Sequence, residues 1–196
     1  MLQKIALSIL RICGWETVGE VPALDKAVFV AAPHTSNWDG VWLLVYKIAL
    51  KVDVRFLAKH SLFWWPLGTL LKALGAMPVD RSVASDTVTH LIDTFAAEDK
   101  LFLALAPEGT RSWKPYWKTG FYQIAKSAKV PIVLAFIDYK NKKLGVCITL
   151  PDGQTMDQDL QMIRKFYAPF TAARPERRGP IEFPPEWDLH QKAVRP

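Results

Sequence analysis

Short apolar runs alternate with amphipathic stretches along most of this chain. "AVFVAA" (27–32) and "VDVRFLA" (52–58) are dominated by β-branched and apolar residues between polar boundaries, which predicts strands. Between them, 38–51 is apolar around most of its circumference, so it predicts a helix, with Thr35, Ser36 or Asn37 as its cap. Ser85 opens a second helix in which Val88, Leu91, Ile92 and Phe95 share one stripe. "LFLAL" (101–105) is short and wholly apolar, as a strand buried on both faces must be. Residues 120–129 and 157–168 predict further helices, and "IVLAFI" and "LGVCITL" predict strands joined by the polar turn "DYKNKK". From Pro169 onward proline and charge dominate, which predicts an ordered but irregular tail.

Strands alternating with helices indicate an α/β protein: a single domain with a largely parallel central sheet flanked by helices, carrying an added hairpin. The expected division is an amphipathic N-terminal helix over 1–20, a main domain over 21–170 and a Pro-rich tail over 171–196 packed on it. A chain of 196 residues suits one domain with a sizeable core. Half of the residues are hydrophobic and 22% are charged, which excludes wholesale disorder.

Two segments have the pattern of membrane-surface elements. In "MLQKIALSILRICGW", Leu2, Ile5, Ala6, Ile9, Leu10 and Cys13 recur at helical spacing among polar residues. The uncharged run is too short to span a bilayer and has no small-residue cleavage pattern. "SLFWWPLGTLLKALGAM" (61–77) is apolar and Trp-rich, but Pro66, Gly68 and Lys72 argue against a spanning helix. It reads either as an interfacial element or as plain core.

Charge sharpens this picture. The formal net charge is +6, and Arg111 to Lys143 holds eight lysines and arginines against one acid, Asp138. Such a segment suits phosphates, anionic lipid or nucleic acid, or forms an ordinary solvated face. Cys13 and Cys147 lack metal-ligand spacing and are expected to be reduced, packed thiols of an intracellular protein.

Candidate chemistry follows the predicted strands, where ligands bind in open α/β sheets. His34 comes directly after "AVFVAA", five residues before Asp39. On a regular helix that spacing lies roughly 140° off-face, so the two meet only if Pro33 and "TSN" turn the chain first. A histidine oriented by a carboxylate is a general base without its own nucleophile, and the hydroxyl would belong to the substrate. A satisfied surface histidine is the plain alternative.

After the strand at 101–105, "APEGTRSWKPYWKTGF" places Glu108, Gly109, Thr110 and Arg111 in one loop, with Lys118 close behind. Amides near a glycine, a hydroxyl and a guanidinium make an oxyanion or phosphate cradle. Otherwise Glu108 and Arg111 simply pair with each other. "GAMPVDR" ends in Arg81, a third cation or one half of a surface ion pair with Asp80 or Asp86. His60, His90 and His190 read as structural or solvated.

"PHTSNWD", "GAMPVDR", "APEGTRS" and "VPIV", in this order and spacing, resemble the four blocks of the glycerolipid acyltransferase family, which includes the 1-acylglycerol-3-phosphate acyltransferases. The resemblance covers roughly residues 27–137. It departs from the common pattern at Pro33, Pro78, Val79 and Ala106. By this resemblance His34 would be the general base, Asp39 its orienting carboxylate and Arg81 the ligand of the acceptor's phosphate. Glu108, Gly109, Thr110 and Arg111 would line the acceptor site, and the block around Pro131 would shape the acyl or acceptor pocket.

The resemblance implies transfer of a fatty acyl group from a thioester to the hydroxyl of a lysophospholipid, with 1-acyl-glycerol-3-phosphate the leading acceptor and phosphatidic acid the product. Acyl-CoA or acyl carrier protein would be the co-substrate, with no metal and no bound cofactor. The expected location is peripheral, on the cytoplasmic face of an anionic membrane. Another lyso-lipid acceptor and a non-catalytic anionic-lipid binding module are the alternatives. Nucleic-acid binding has only the charge in its favour, and the G-x-S-x-G elbow of many hydrolases is absent.

Overall fold

The structure, a computed structural model, describes residues 1–79 and 84–185. Its order is α1 (Leu2–Ile12), β1 (Glu16–Val18), β2 (Lys26–Ala32), α2 (Asn37–Leu50), β3 (Val54–Lys59), α3 (Leu67–Ala73), β4 (Ala76–Val79), α4 (Ala84–Ala97) and β5 (Leu101–Leu105). Then come α5 (Gly120–Ala128), β6 (Ile132–Asp138), β7 (Lys143–Thr149) and α6 (Met156–Tyr167), with single 3₁₀ turns at His60–Leu62 and Pro175–Arg177.

The strands form one seven-stranded sheet in the order β1-β7-β6-β2-β5-β3-β4. From β6 to β4 every pairing is parallel. The hairpin strand β7 runs antiparallel to β6, and β1 adds to the outer edge of β7. This is the expected α/β architecture. Two short strands, β1 and β4, were not predicted, because three or four residues carry too little periodicity to register.

Alternation along the central strands sends side chains to two cores. Val28, Val30 and Ala32 of β2 join Leu103 of β5, Leu134 of β6 and the buried faces of α4, α5 and α6. Ala27 and Phe29 face the other way, against Ala6 and Leu10 of α1 and Tyr46 and Ala49 of α2. Strands covered on both sides must be apolar at nearly every position, which is why "AVFVAA" and "LFLAL" read as continuous hydrophobic runs.

The N-terminal helix forms but ends at Ile12, with β1 following inside the range 1–20 expected for it, and it buries only part of its apolar surface. Ala6 and Leu10 pack inward, whereas Leu2, Ile5, Ile9 and Ile12 remain exposed along the neighbouring stripe. The 61–77 stretch is not plain core either: Leu62, Trp64, Trp65 and Leu70 are exposed, Trp65 at 84%. No helix among the described residues is long and apolar enough to cross a membrane.

Both cysteines are free, but Cys147 is exposed rather than packed. The pairing of β1 with β7 reaches only from Lys143 to Gly145. The basic segment also divides: Lys126 and Lys129 line a cavity of about 330 Å³ with Pro131, Asp152 and Asp159, at the end of the sheet where β6 begins. The other cations of that segment lie at the opposite end, where β5 and β6 finish and β7 begins, all in loops except Lys143, the first residue of β7.

Candidate active site

The carboxyl ends of β2, β5 and β6, three neighbouring strands, deliver the candidate residues to one place. After β2, the buried Pro33 follows a cis peptide bond, and His34 and Thr35 precede Ser36, the N-cap of α2. The Ser36 hydroxyl accepts from the Trp38 amide at 3.2 Å, while Asp39, in the first turn of the helix, accepts from the Ser36 amide at 2.9 Å. This reciprocal cap satisfies amides that the helix itself cannot, and it points the Asp39 carboxylate back toward the preceding turn.

There Asp39 meets His34. Nδ1 of His34 donates to Oδ2 of Asp39 at 3.1 Å. The same oxygen accepts from the Thr35 amide at 2.8 Å, and Oδ1 accepts from the Tyr139 hydroxyl at 2.6 Å. Burial would raise the Asp39 pKa, but the hydrogen bonds from His34, Tyr139 and Ser36 outweigh it and hold the carboxyl below its usual value. Asp39 is therefore an anion at neutral pH. An ionised acceptor fixes the proton on Nδ1, leaving Nε2 to take a proton from elsewhere. The expected turn between the two residues is present, and it makes one carboxylate both helix cap and histidine partner.

Glu108 comes from the loop after β5 and faces inward. Its Oε1 accepts from the His34 backbone amide at 2.9 Å, and its Oε2 is buried without a partner. Burial pushes its pKa up to about 7, against the pull of the His34 amide. Glu108 thus braces the turn carrying His34 and neither lines an open acceptor surface nor pairs with Arg111, which is exposed. The Gly109 amide is also committed, donating to the Ala106 carbonyl at 3.0 Å. Gly109 adopts φ +63°, and the Lys118 side chain lies so close that an added Cβ would meet it at 2.7 Å. The Gly109 amide is therefore not free to take part in the expected cradle.

Arg81 lies outside the described residues. Pro131 immediately precedes β6, at the opposite end from His34: Ile132 pairs with Val28, whereas Phe136 pairs with Ala32. The "VPIV" block therefore does not line this site, and it borders the far cavity instead. Two contributors escaped the sequence reading. Tyr139 starts the turn after β6 and shows no signal beyond following a predicted strand. Arg178 comes from the tail, where it shares a small pocket with Glu108, Trp117 and Tyr167. Among the described residues, no cluster of three or more His, Cys, Asp or Glu side chains is placed to hold a metal ion.

No curated protein sequence matches the chain. The crystal structure of the 1-acyl-sn-glycerophosphate (LPA) acyltransferase PlsC from Thermotoga maritima superposes with a TM-score of 0.60 at 16% identity, over 99% of this chain and 79% of that one. At that identity the likeness establishes the fold. The acyltransferase family profile matches residues 15–137, which span β1 to β6 and include His34, Asp39 and the Glu108 loop, and the chain belongs to the acyltransferase family.

Proposed function

We propose that this protein transfers a fatty acyl group from a thioester to the free hydroxyl of a lysophospholipid, with 1-acyl-glycerol-3-phosphate the leading acceptor and phosphatidic acid its product. The observation that carries this reading is the His34–Asp39 pair, held by three further hydrogen bonds at the carboxyl ends of the central strands. The likeness to an LPA acyltransferase supports the choice of acceptor.

The chemistry needs no covalent enzyme intermediate. Nε2 of His34 accepts the proton of the acceptor hydroxyl, and the Asp39 carboxylate stabilises the imidazolium that forms. The hydroxyl oxygen attacks the thioester carbonyl, and the tetrahedral intermediate collapses by breaking the carbon–sulfur bond. The departing thiolate takes the proton from His34, restoring the base. Acyl-CoA or acyl carrier protein supplies the thioester, and because that bond arrives activated the proposal calls for no metal or bound cofactor. Thr110, Arg111 and Lys118 hold the acceptor's phosphate, together with Arg81 by the family pattern.

The acceptor is a membrane lipid, and the surface around the site suits an interface. The loops and helix start that follow β2, β3 and β5 each expose tryptophan: Trp38 at 61%, Trp64 and Trp65 at 59% and 84%, and Trp113 at 54%. Aromatic rings with a polar edge settle at the headgroup level. The lysines and arginines of the nearby loops add attraction to an anionic leaflet, about 1 kcal/mol for each well-placed cation. We therefore place the protein peripherally, on the cytoplasmic face of an anionic membrane.

The test is a panel. Purified protein meets labelled acyl-CoA or acyl carrier protein, crossed with several lyso-lipids and glycerol 3-phosphate. Expected is phosphatidic acid from the lysophosphatidic acceptor, abolished in His34→Ala without loss of vesicle binding. Acylation of no acceptor, under conditions where a relative is active, overturns the enzyme reading. Unchanged turnover in His34→Ala overturns the mechanism.

A further inference from the structure

The segment after α6 binds both loops of the candidate site. The Arg174 amide donates to the Thr35 hydroxyl at 3.1 Å, one residue from His34. The Trp117 amide donates to the Glu182 carbonyl at 2.7 Å, and Gly179 passes so close to Lys114 that an added Cβ would lie 1.9 Å from its carbonyl oxygen. This segment follows the part of the chain that the family profile matches. The tail is thus hydrogen-bonded at both the His34 turn and the Glu108 loop.

Between those anchors the tail inserts one charge. Arg178 is fastened by its guanidinium, which donates to the carbonyls of Phe170 at 2.6 Å and Tyr167 at 2.7 Å. Its side chain shares the pocket that holds Glu108. Burial pulls the guanidinium below its usual value, and the charge of Glu108 works against that pull, so the two groups sense each other. Two carbonyls neutralise no charge, and among the described residues Glu108 has no ion-pair partner of its own.

Resting on the acyltransferase reading, we infer that Arg178 is a positioning residue: its positive charge, fixed in the pocket it shares with Glu108, favours the ionised form of the Glu108 carboxyl, the form that grips the His34 amide more tightly and holds the base in place.

An ionised carboxylate accepts a shorter, stronger hydrogen bond than a neutral carboxyl does. Burial is the largest influence on Glu108 and pushes its pKa up to about 7, so a cation sharing its pocket shifts the balance between the two forms. Other groups face Glu108 too: His34 from the turn after β2, Asp39 from α2 and Tyr167 from α6. The Tyr167 hydroxyl is occupied, bonded to the carbonyls of Val30 and Ala135 at 2.7 and 2.9 Å, and so does not serve Oε2. His34 and Asp39 are unchanged in the comparison that follows.

The experiment follows the His34 backbone amide by ¹H–¹⁵N NMR as pH is varied, in the wild type, Arg178→Gln and Arg178→Lys. Glutamine keeps a donor for the carbonyls without the charge, and lysine keeps the charge without the fork. Glu108→Gln identifies the Glu108 titration as the one it removes. Expected is a midpoint about half a pH unit or more higher in Arg178→Gln, with Arg178→Lys close to wild type. The acid limb of kcat/KM moves in the same direction. Equal midpoints in wild type and Arg178→Gln overturn the proposal, as does a lysine variant shifted as far as the glutamine one. A wild type without acyl transfer overturns the functional reading instead, while the amide titration still decides the role of Arg178.

Discussion

Tyr139 and Asp39 lie a hundred positions apart and meet at 2.6 Å, hydroxyl to Oδ1. Since Oδ2 is already taken by His34 and two amides, this contact clamps the carboxylate from its other side. Burial and the bond to Asp39 hold the phenol neutral, with its pKa well above the usual value, so it remains a donor. The Tyr139 ring in turn stands edge-on to Trp15, centroids 5.2 Å apart, which fixes the donor's direction.

Removing that hydroxyl therefore separates stability from turnover. Tyr139→Phe leaves the ring packing and strands Oδ1 without a donor. The expected cost is about 1–3 kcal/mol in chemical denaturation. Turnover falls through kcat rather than KM, because Asp39 orients the base and does not touch the acceptor. A variant as stable as the wild type would show that water replaces the phenol.

Asp39→Asn probes the charge alone. The amide oxygen can still accept from the Thr35 and Ser36 amides, and its nitrogen can turn toward Tyr139, so the helix cap survives. What disappears is the anion that stabilises the imidazolium. The acylation rate is expected to fall about a hundredfold or more, with a stability change of about 1 kcal/mol. Comparable losses in both would indicate a purely structural carboxylate.

The two carboxylates give opposite pH signatures. Glu108 has a folded pKa of about 7 against an ordinary 4.5, so the folded state binds its proton more tightly than the unfolded chain does. Its contribution to stability is full below pH 4.5 and is lost as pH rises through about 7, amounting to about 3 kcal/mol. Asp39 is shifted down from 3.8, so its contribution is full above that pH and is lost only in stronger acid. Denaturation curves between pH 4.5 and 8 should slope downward in the wild type and flatten in Glu108→Gln. A slope unchanged by that substitution would assign the pH dependence to another group.

The legible parts of this molecule were those whose signal is local. His34, the cap residues and Asp39 fall within six consecutive positions, so their meeting could be read from the turn chemistry of "PHTSNWD". Buried parallel strands announced themselves as apolar runs. Tyr139 and Arg178 were not legible, because their roles depend on which strand ends and tail segments become neighbours. The basic segment shows the converse error: contiguous in sequence, it is split across the sheet because α5 carries Lys126 away from the loop that bears Arg111. Glu108 was placed in the right loop but on the wrong side of it, since nothing in "PEGTR" says which side chain turns inward.

The exposed tryptophans should matter for membranes and not for folding. Trp64 and Trp65 are 59% and 84% exposed, so replacing both by alanine should leave thermal stability nearly unchanged. If the site-side surface rests on lipid, cosedimentation with vesicles of phosphatidylcholine and phosphatidic acid should weaken about tenfold or more. Turnover of a short-chain, monomeric acceptor should persist. Undiminished sedimentation would transfer the membrane role to the exposed stripe of α1.

Two glycines should respond in opposite directions to the same added methyl group. Gly40 lies within α2, one position beyond Asp39, and an added Cβ there meets nothing within 4 Å. Alanine at that position restricts the unfolded chain and favours helix, so Gly40→Ala should stabilise by about 0.5–1 kcal/mol. At Gly179 the same atom would sit 1.9 Å from the Lys114 carbonyl oxygen, which is backbone and cannot rotate aside. The tail must then move off the 107–118 loop, weakening the Trp117–Glu182 hydrogen bond and shifting Arg178 away from Glu108. Gly179→Ala should cost about 1–3 kcal/mol and loosen amide exchange at Trp117, whereas Gly40→Ala should leave that exchange alone. If Gly179→Ala is neutral in both measurements, the tail does not clasp the loop, and Arg178 loses the fixed position its role requires.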